Sequence, residues 1–212
     1  MKAVVFHEFG HADVLRIEEL PDPTPGPGEV VVDVTASALN HLDVDVREGV
    51  SRFPIEFPHT LGVEPVGRIA ALGEGVEGWQ VGDRVAVYLI ATCGDCVYCR
   101  SGRESLCTAP DWFIGMGTGG AYAEQVRCKA SQLIPIPDGV TDVQAAASNI
   151  AFGTAWHMLI TRAQRVWQLD REARDALAHV DVEVVEGRRG DLDDHLVDTR
   201  NGVGQLLQPQ DV

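Results

Sequence analysis

The chain has 212 residues, a formal net charge of −15 and a pI near 4.7. That length suffices for one large domain, or for one domain with an appended segment. So much acid argues against electrostatic binding to DNA, RNA or an anionic membrane, each of which needs clustered Lys and Arg. No apolar run reaches the roughly 18 residues of a membrane span. Met1 opens no basic-plus-apolar leader, so a reducing cytoplasm is the expected location. Lys2 and Lys129 are the only lysines, every other basic residue being Arg, a bias that fits either a GC-rich genome or adaptation to high salt.

Residues 2–6 and 14–20 cluster apolar residues over strand length, with Gly10 and Asp13 between them, and predict a hairpin. The stretch 21–28 contains Pro21, Pro23, Pro25 and Pro27 and cannot be helix interior, so it is an extended connector. Glu29 to Leu39 reads as a long strand. Asn40 to Arg47 reads as a short helix, with Asn40 as N-cap and Gly49 as stop. Residues 49–60, with Pro54 and Pro58, are expected to be loop. Strands follow at 63–72 and 84–89, separated by the Gly73-Glu74-Gly75 and Gly82-Asp83 turns. Several short strands broken by Gly and Pro suggest a partly closed β-barrel.

The sharpest chemical signal is Cys93, Cys96, Cys99 and Cys107, spaced C-x2-C-x2-C-x7-C, with Gly94, Asp95 and Gly102 to fold the loop back on an ion. Zn²⁺ takes four thiolates at about 2.3 Å in a tetrahedron, and four protein ligands leave no open position, so such a site is structural. Two disulfides, or four reduced thiols in a buried loop, are the competing readings; three cysteines only two residues apart are crowded for unstrained disulfides. Beyond the lobe at 93–107, Gly115–Gly120 is a glycine-rich turn, and strands are expected at 121–129 and 132–136. Thr141-Asp142 caps a helix through Ala145, Ala146 and Ala147, and a second helix is expected from about 154 to 178. From Asp181 onward the composition turns acidic and loses periodicity, which predicts a poorly ordered tail. There is no G-x-S-x-G elbow and no Walker loop, which argues against a hydrolase or phosphotransferase.

In order along the chain, Asn40-His41-Leu42-Asp43, Gly62-Val63-Glu64-Pro65-Val66-Gly67, Gly82-Asp83-Arg84-Val85, the four-cysteine lobe, Gly119-Gly120-Ala121-Tyr122-Ala123-Glu124, Ile136-Pro137-Asp138 and Thr154-Ala155-Trp156 resemble the medium-chain dehydrogenases/reductases. That family includes zinc-dependent alcohol dehydrogenases and NADPH-dependent quinone or enoyl reductases. The resemblance covers residues 1–160 and implies a mainly β substrate domain with some α: a GroES-like, partly closed barrel carrying a structural-zinc lobe. In the family's zinc alcohol dehydrogenases, a catalytic zinc takes a Cys from the first motif and a His from a Gly-His-Glu motif. Here those positions are Asn40 and Val63, and neither an amide nor an isopropyl group replaces such ligands. Leu42 likewise stands in place of a hydroxyl that relays the alcohol proton.

The expectation is therefore no catalytic zinc. The chemistry implied is reduction of an activated C=C bond or a quinone by NAD(P)H, with Asn40, Asp43 and Glu64 as candidate catalytic residues and Thr154 as a candidate nicotinamide contact. Asn40 also serves as a helix N-cap in this reading. The plainer alternative for Asp43 and Glu64 is pairing with nearby Arg; His41 and His59 read as surface or loop residues, and Cys128 as a small strand residue.

The family continues into a Rossmann domain after Trp156, but no G-x-G-x-x-G unit follows here. Gly202-x-Gly204 lacks the third glycine, and Gly115–Gly120 matches the family's turn before the Ala-Tyr-Ala-Glu strand. Residues 161–212 read as a helix and acidic tail unrelated to the family, as frameshift, truncation or fusion would produce. Two functions are expected: the substrate-side domain of an oxidoreductase acting on a small molecule, truncated before its nucleotide-binding domain, or a non-catalytic zinc-binding relic or interaction module. Self-association or a separate nucleotide-binding chain would complete the first, and an exposed apolar patch is expected where the second domain would lie.

Overall fold

The computed structural model describes residues 1–51 and 53–162. The far part of the expected second helix, the acidic tail and the Gly202-x-Gly204 turn lie outside the described residues.

The chain begins with β1 (Lys2–Phe6) and β2 (Arg16–Glu19), an antiparallel hairpin in register from Lys2 opposite Glu19 to Val5 opposite Arg16. The proline-rich connector delivers the chain to β3 (Glu29–Ala38), and α1 (His41–Arg47) follows directly. Within the expected loop, β4 (His59–Thr60) pairs with β1, and His59 is buried there, with its ring Nε2 3.1 Å from the Gly115 carbonyl. Burial holds His59 below the ordinary histidine range, so its neutral ring donates to Gly115. The expectation of a surface histidine is thereby corrected: two residues of strand pairing, too short to show as a pattern, draw it inside.

Next come β5 (Glu64–Leu72), β6 (Arg84–Val87) and β7 (Ile90–Ala91). The cysteine loop carries α2 (Val97–Arg100), and β8 (Trp112–Phe113) returns to pair with β7. Then β9 (Gln125–Lys129) and β10 (Leu133–Pro135) lead to α3 (Asp142–Trp156), which runs on into a π-helical turn over His157–Arg162. The main sheet has the order β10-β6-β5-β3-β9, the smaller ones β2-β1-β4 and β7-β8. Every ladder between named strands is antiparallel. Among the described residues there is accordingly no parallel βαβ unit.

The sheets curl toward one another as the strand spacing predicts. Irregularities in β3 between Val31 and Val32, and between Val34 and Ala36, bend it against β5. Val4 N–H donates to the Tyr122 carbonyl at 2.7 Å and Glu124 N–H to the Lys2 carbonyl at 3.0 Å, which sews β1 to the segment before β9. The enclosed core is aliphatic, with Phe6, Val30, Val32, Val63, Ile69, Val85, Val87, Ile114 and Val126 all buried. Alternation is clearest on β9, where Val126 and Cys128 face in and Arg127 faces out. Burial pushes the Cys128 thiol up to about 12, in keeping with an inert strand residue.

The second expected helix, from about 154 to 178, lies largely outside the described residues, and the first is α3. Thr141 caps it, its hydroxyl accepting from Gln144 N–H at 3.2 Å while Gln144 Oε1 accepts from Thr141 N–H at 2.9 Å. Asn149, a poor helix former, lies inside α3. The Asn149 amide donates to the Val87 carbonyl at 2.7 Å, so tertiary bonding carries the helix through.

The start of α3 is clamped to the barrel by Asp142. Its carboxylate accepts from the Thr35 hydroxyl at 2.6 Å and from Arg84 Nε at 2.5 Å, and Arg84 also donates to the Val140 carbonyl. The Thr35 hydroxyl first, and then Arg84, hold the Asp142 carboxyl below its ordinary value of 3.8. A depressed folded-state value stabilises the fold above the unfolded value and is lost as pH falls through the folded one. Asp142→Asn is expected to cost on the order of 1–2 kcal/mol near neutrality. In thermal melts followed by circular dichroism, the gap from wild type should be constant above about pH 5 and close below the ordinary carboxylate range.

Candidate functional site

The four lobe cysteines come together as their spacing predicts. All their sulfurs lie within 4.8 Å of one another, and among the described residues they are the His/Cys/Asp/Glu group able to hold a metal ion. Cys96 to Cys99 and Cys93 to Cys107 are each 3.5 Å, and Cys93 to Cys99 is 3.9 Å. A tetrahedron of sulfurs about 2.3 Å from a central ion has edges of about 3.8 Å, whereas a disulfide would bring two sulfurs to about 2.05 Å. All four are free thiols. Gly94 and Gly102, at φ +72° and +68°, make the reversals that no β-branched residue would permit.

Backbone amides in the lobe point at sulfur. Cys93 N–H donates to Cys107 Sγ and Cys96 N–H to Cys93 Sγ, both at 3.4 Å, and Cys99 N–H donates to Cys96 Sγ at 3.5 Å. These donors favour thiolate: the Cys99 amide lowers the Cys96 thiol and the Cys93 amide lowers that of Cys107, while burial raises Cys99. Four sulfurs so close together, two of them favoured as thiolates, form a donor set suited to a cation.

The second constellation lies where α1, β5 and α3 meet. Asn40 caps α1, its Oδ1 accepting from Leu42 N–H at 3.0 Å and its Nδ2 donating to Glu64 Oε1 at 2.7 Å. These two partners fix the orientation of the amide, because the oxygen must face a donor and the nitrogen a carboxylate. The other Glu64 oxygen accepts from Ile150 N–H at 3.0 Å. Asp43 closes the capping box by accepting from Asn40 N–H at 2.9 Å, and it also accepts from Gly62 N–H at 2.9 Å and the Tyr122 hydroxyl at 2.8 Å. Asp43 and Glu64 are only 4% and 2% exposed.

The suggested pairing of these carboxylates with Arg is thus replaced by bonds to an amide, a phenol and backbone N–H groups. Burial, and then the Asp43 carboxylate, hold the Tyr122 phenol far above its ordinary value, so it stays a donor. Gly62, at φ +106°, passes so close to the next segment that a Cβ would lie 2.6 Å from Tyr122 N. Val63 is fully buried in the core, and Leu42 packs against that core. Thr154 stands one turn beyond Ile150 on α3 and is exposed. His41 is exposed and pairs with Asp45 at 3.2 Å.

Tyr122, Asn149 and the Ile150 amide were not visible as site groups in the sequence. The Tyr122–Asp43 bond spans 79 positions, and no local spacing announces a contact of that range.

Residues 26–138 match the family model of the alcohol dehydrogenase GroES-like domain. The chain belongs to the medium-chain dehydrogenases/reductases. An alcohol dehydrogenase from Moraxella sp. is 42% identical over 147 residues, 69% of this chain and 43% of that protein. An L-threonine 3-dehydrogenase from Stenotrophomonas maltophilia is 39% identical over 160 residues, 74% of this chain and 46% of that protein. Among solved structures, an NAD-dependent alcohol dehydrogenase superposes with a TM-score of 0.72 at 41% identity, over 76% of this chain and 47% of that one. A cobalt- and zinc-bound thermostable alcohol dehydrogenase from Pyrobaculum aerophilum gives 0.70 at 34% identity, over 75% of this chain and 47% of that one. This member of the family therefore spans about half the length of the relatives it matches, and its fold is that of their GroES-like domain.

The Asp43 junction is separable by mutation. Tyr122→Phe removes one donor and should cost about 1 kcal/mol, whereas Asp43→Asn turns an amide NH₂ toward a donor and should cost about 2–3 kcal/mol. Urea unfolding of both variants and of their double mutant should show strong non-additivity, because the two groups share one bond.

Proposed function

We propose that the chain is the substrate-side domain, over residues 1–160, of an NAD(P)H-dependent oxidoreductase that reduces a conjugated carbonyl compound or a quinone without a catalytic zinc. The supporting observation is the Asn40 amide. Its oxygen is occupied by Leu42 N–H and one of its N–H groups by Glu64, which leaves one N–H as the group it can offer. An N–H binds a carbonyl oxygen, the acceptor that gathers charge when an enone or quinone is reduced, and discriminates against a ligand that can only donate. The donor set supports the same reading, since the positions equivalent to the family's Cys and His ligands are Asn40 and Val63.

In this reading Asn40 orients the substrate carbonyl, and Glu64 and Asp43 hold Asn40 from the side chain and from the backbone. Thr154, exposed one turn from the Ile150–Glu64 contact, is the candidate nicotinamide neighbour. A bound NAD(P)H would supply hydride; a second copy or a separate nucleotide-binding chain would supply the fold that holds it. The lobe sulfurs of Cys93, Cys96, Cys99 and Cys107 would hold a structural Zn²⁺, the ion suited to four thiolates in a tetrahedron. The second reading is a non-catalytic zinc-binding module. It draws support from the same junction, in which both oxygens of Asp43 and of Glu64 are already bonded within the protein.

Metal analysis of the purified chain is expected to give about one zinc per chain, lost in Cys107→Ser together with a drop in melting temperature. Cobalt substitution should give the intense absorption of tetrahedral thiolate ligation. Two zincs per chain would point to a catalytic metal and overturn the substrate assignment.

Calorimetric titration with NADPH and NADH at low and high salt then separates the two functions. Micromolar binding supports the oxidoreductase, and no binding by a folded, zinc-loaded chain supports the non-catalytic module.

A further inference from the structure

Residues 143–161 contain no Asp, Glu, Lys or Arg, in a chain with a formal charge of −15. The second half of that stretch stands clear of the barrel, with Phe152, Trp156 and Leu159 exposed by 69%, 65% and 68%. Phe152 and Trp156, four residues apart on α3, lie on one side of the helix, with the small Ala151 and Ala155 beside them and Leu159 following in the π-helical turn. A helix apolar toward solvent marks an interaction surface.

We propose that this stripe joins two copies of the chain as a two-fold, antiparallel helix pair. The charge favours a second copy: two bodies of −15 repel wherever acid faces acid, and this segment is where neither presents any. A basic partner would be drawn instead to the acidic remainder of the surface. The stripe is also self-complementary. Phe152 and Trp156 are large and Ala151 and Ala155 small, so under a two-fold axis the large residues of each copy lie against the small ones of the other.

The area sets the strength. With aromatic side chains of about 150–250 Å² each, two-thirds exposed, the stripe offers on the order of 400 Å² per copy. About 800 Å² for the pair lies among weak, transient interfaces. The dimer is therefore reversible, and added salt tightens it by screening the mutual repulsion, the reverse of an ion-paired contact. Pairing of this kind holds whether or not the chain handles a dinucleotide.

Sedimentation velocity of the full chain, from low to several hundred micromolar at low and high salt, tests the pairing. Trp156→Glu is the disruptive variant, and Ile17→Glu, at an exposed position on β2, is the control. Wild type is expected to move from monomer to dimer within that range, and at lower concentration in high salt. Trp156→Glu should weaken dimerisation by more than about tenfold with an unchanged melting temperature, and Ile17→Glu should dimerise as wild type. A chain that stays monomeric, bare or with a nucleotide-binding partner seated on this helix, overturns the proposal. So does a dimer that survives Trp156→Glu, or one equally lost in Ile17→Glu.

Discussion

The buried carboxylate of Asp43 is the constraint on which the site depends. It gathers donors from three parts of the chain: the Asn40 backbone at the start of α1, the Gly62 backbone before β5, and the Tyr122 hydroxyl before β9. A carboxylate so far from water is tolerable only when its lone pairs are filled. Filling them fixes the turn that presents Asn40 and the turn that presents Glu64. Asn40 and Glu64 then bond one another, and Glu64 reaches α3 through the Ile150 amide. One anion thus sets the mutual position of α1, β5 and α3.

The chemistry of this junction is the opposite of a metal centre's. A metal centre collects soft, electron-rich ligands around a cation, whereas this junction collects N–H and O–H donors around carboxylates. Asn40 and Val63 play complementary parts: the amide supplies a donor to Glu64, and the isopropyl group joins the core. A thiol in place of the Asn40 amide would lose the hydrogen bond to Glu64.

Much of this was legible in the sequence where interactions are local. The β1–β2 hairpin, the long strands β3 and β5, the Asn40 cap and the convergence of four cysteines all follow from turn residues, alternation and spacing. Motif order added the GroES-like fold. Legibility failed where a contact joins distant segments or an element is very short. β4 and β8, of two residues each, carry no periodicity, and β4 buried a histidine expected outside. Nothing near Asn149 in sequence reveals the Val87 carbonyl to which its amide donates. Arg partners were expected for the buried carboxylates, since charge is countable in a sequence and hydrogen-bond geometry is not.

The cysteine lobe and the barrel also differ in how far along the chain their contacts reach. The lobe sulfurs are separated by at most 14 positions, whereas the bond between Lys2 N–H and Glu124 that helps close the barrel spans 122. Short loops close early and at small entropic cost, while non-local pairings form late and slowly. A cation captured by the lobe would therefore meet a chain whose barrel is still open. It would act as a nucleus beside β7 and β8, shortening the search left to the strands on either side.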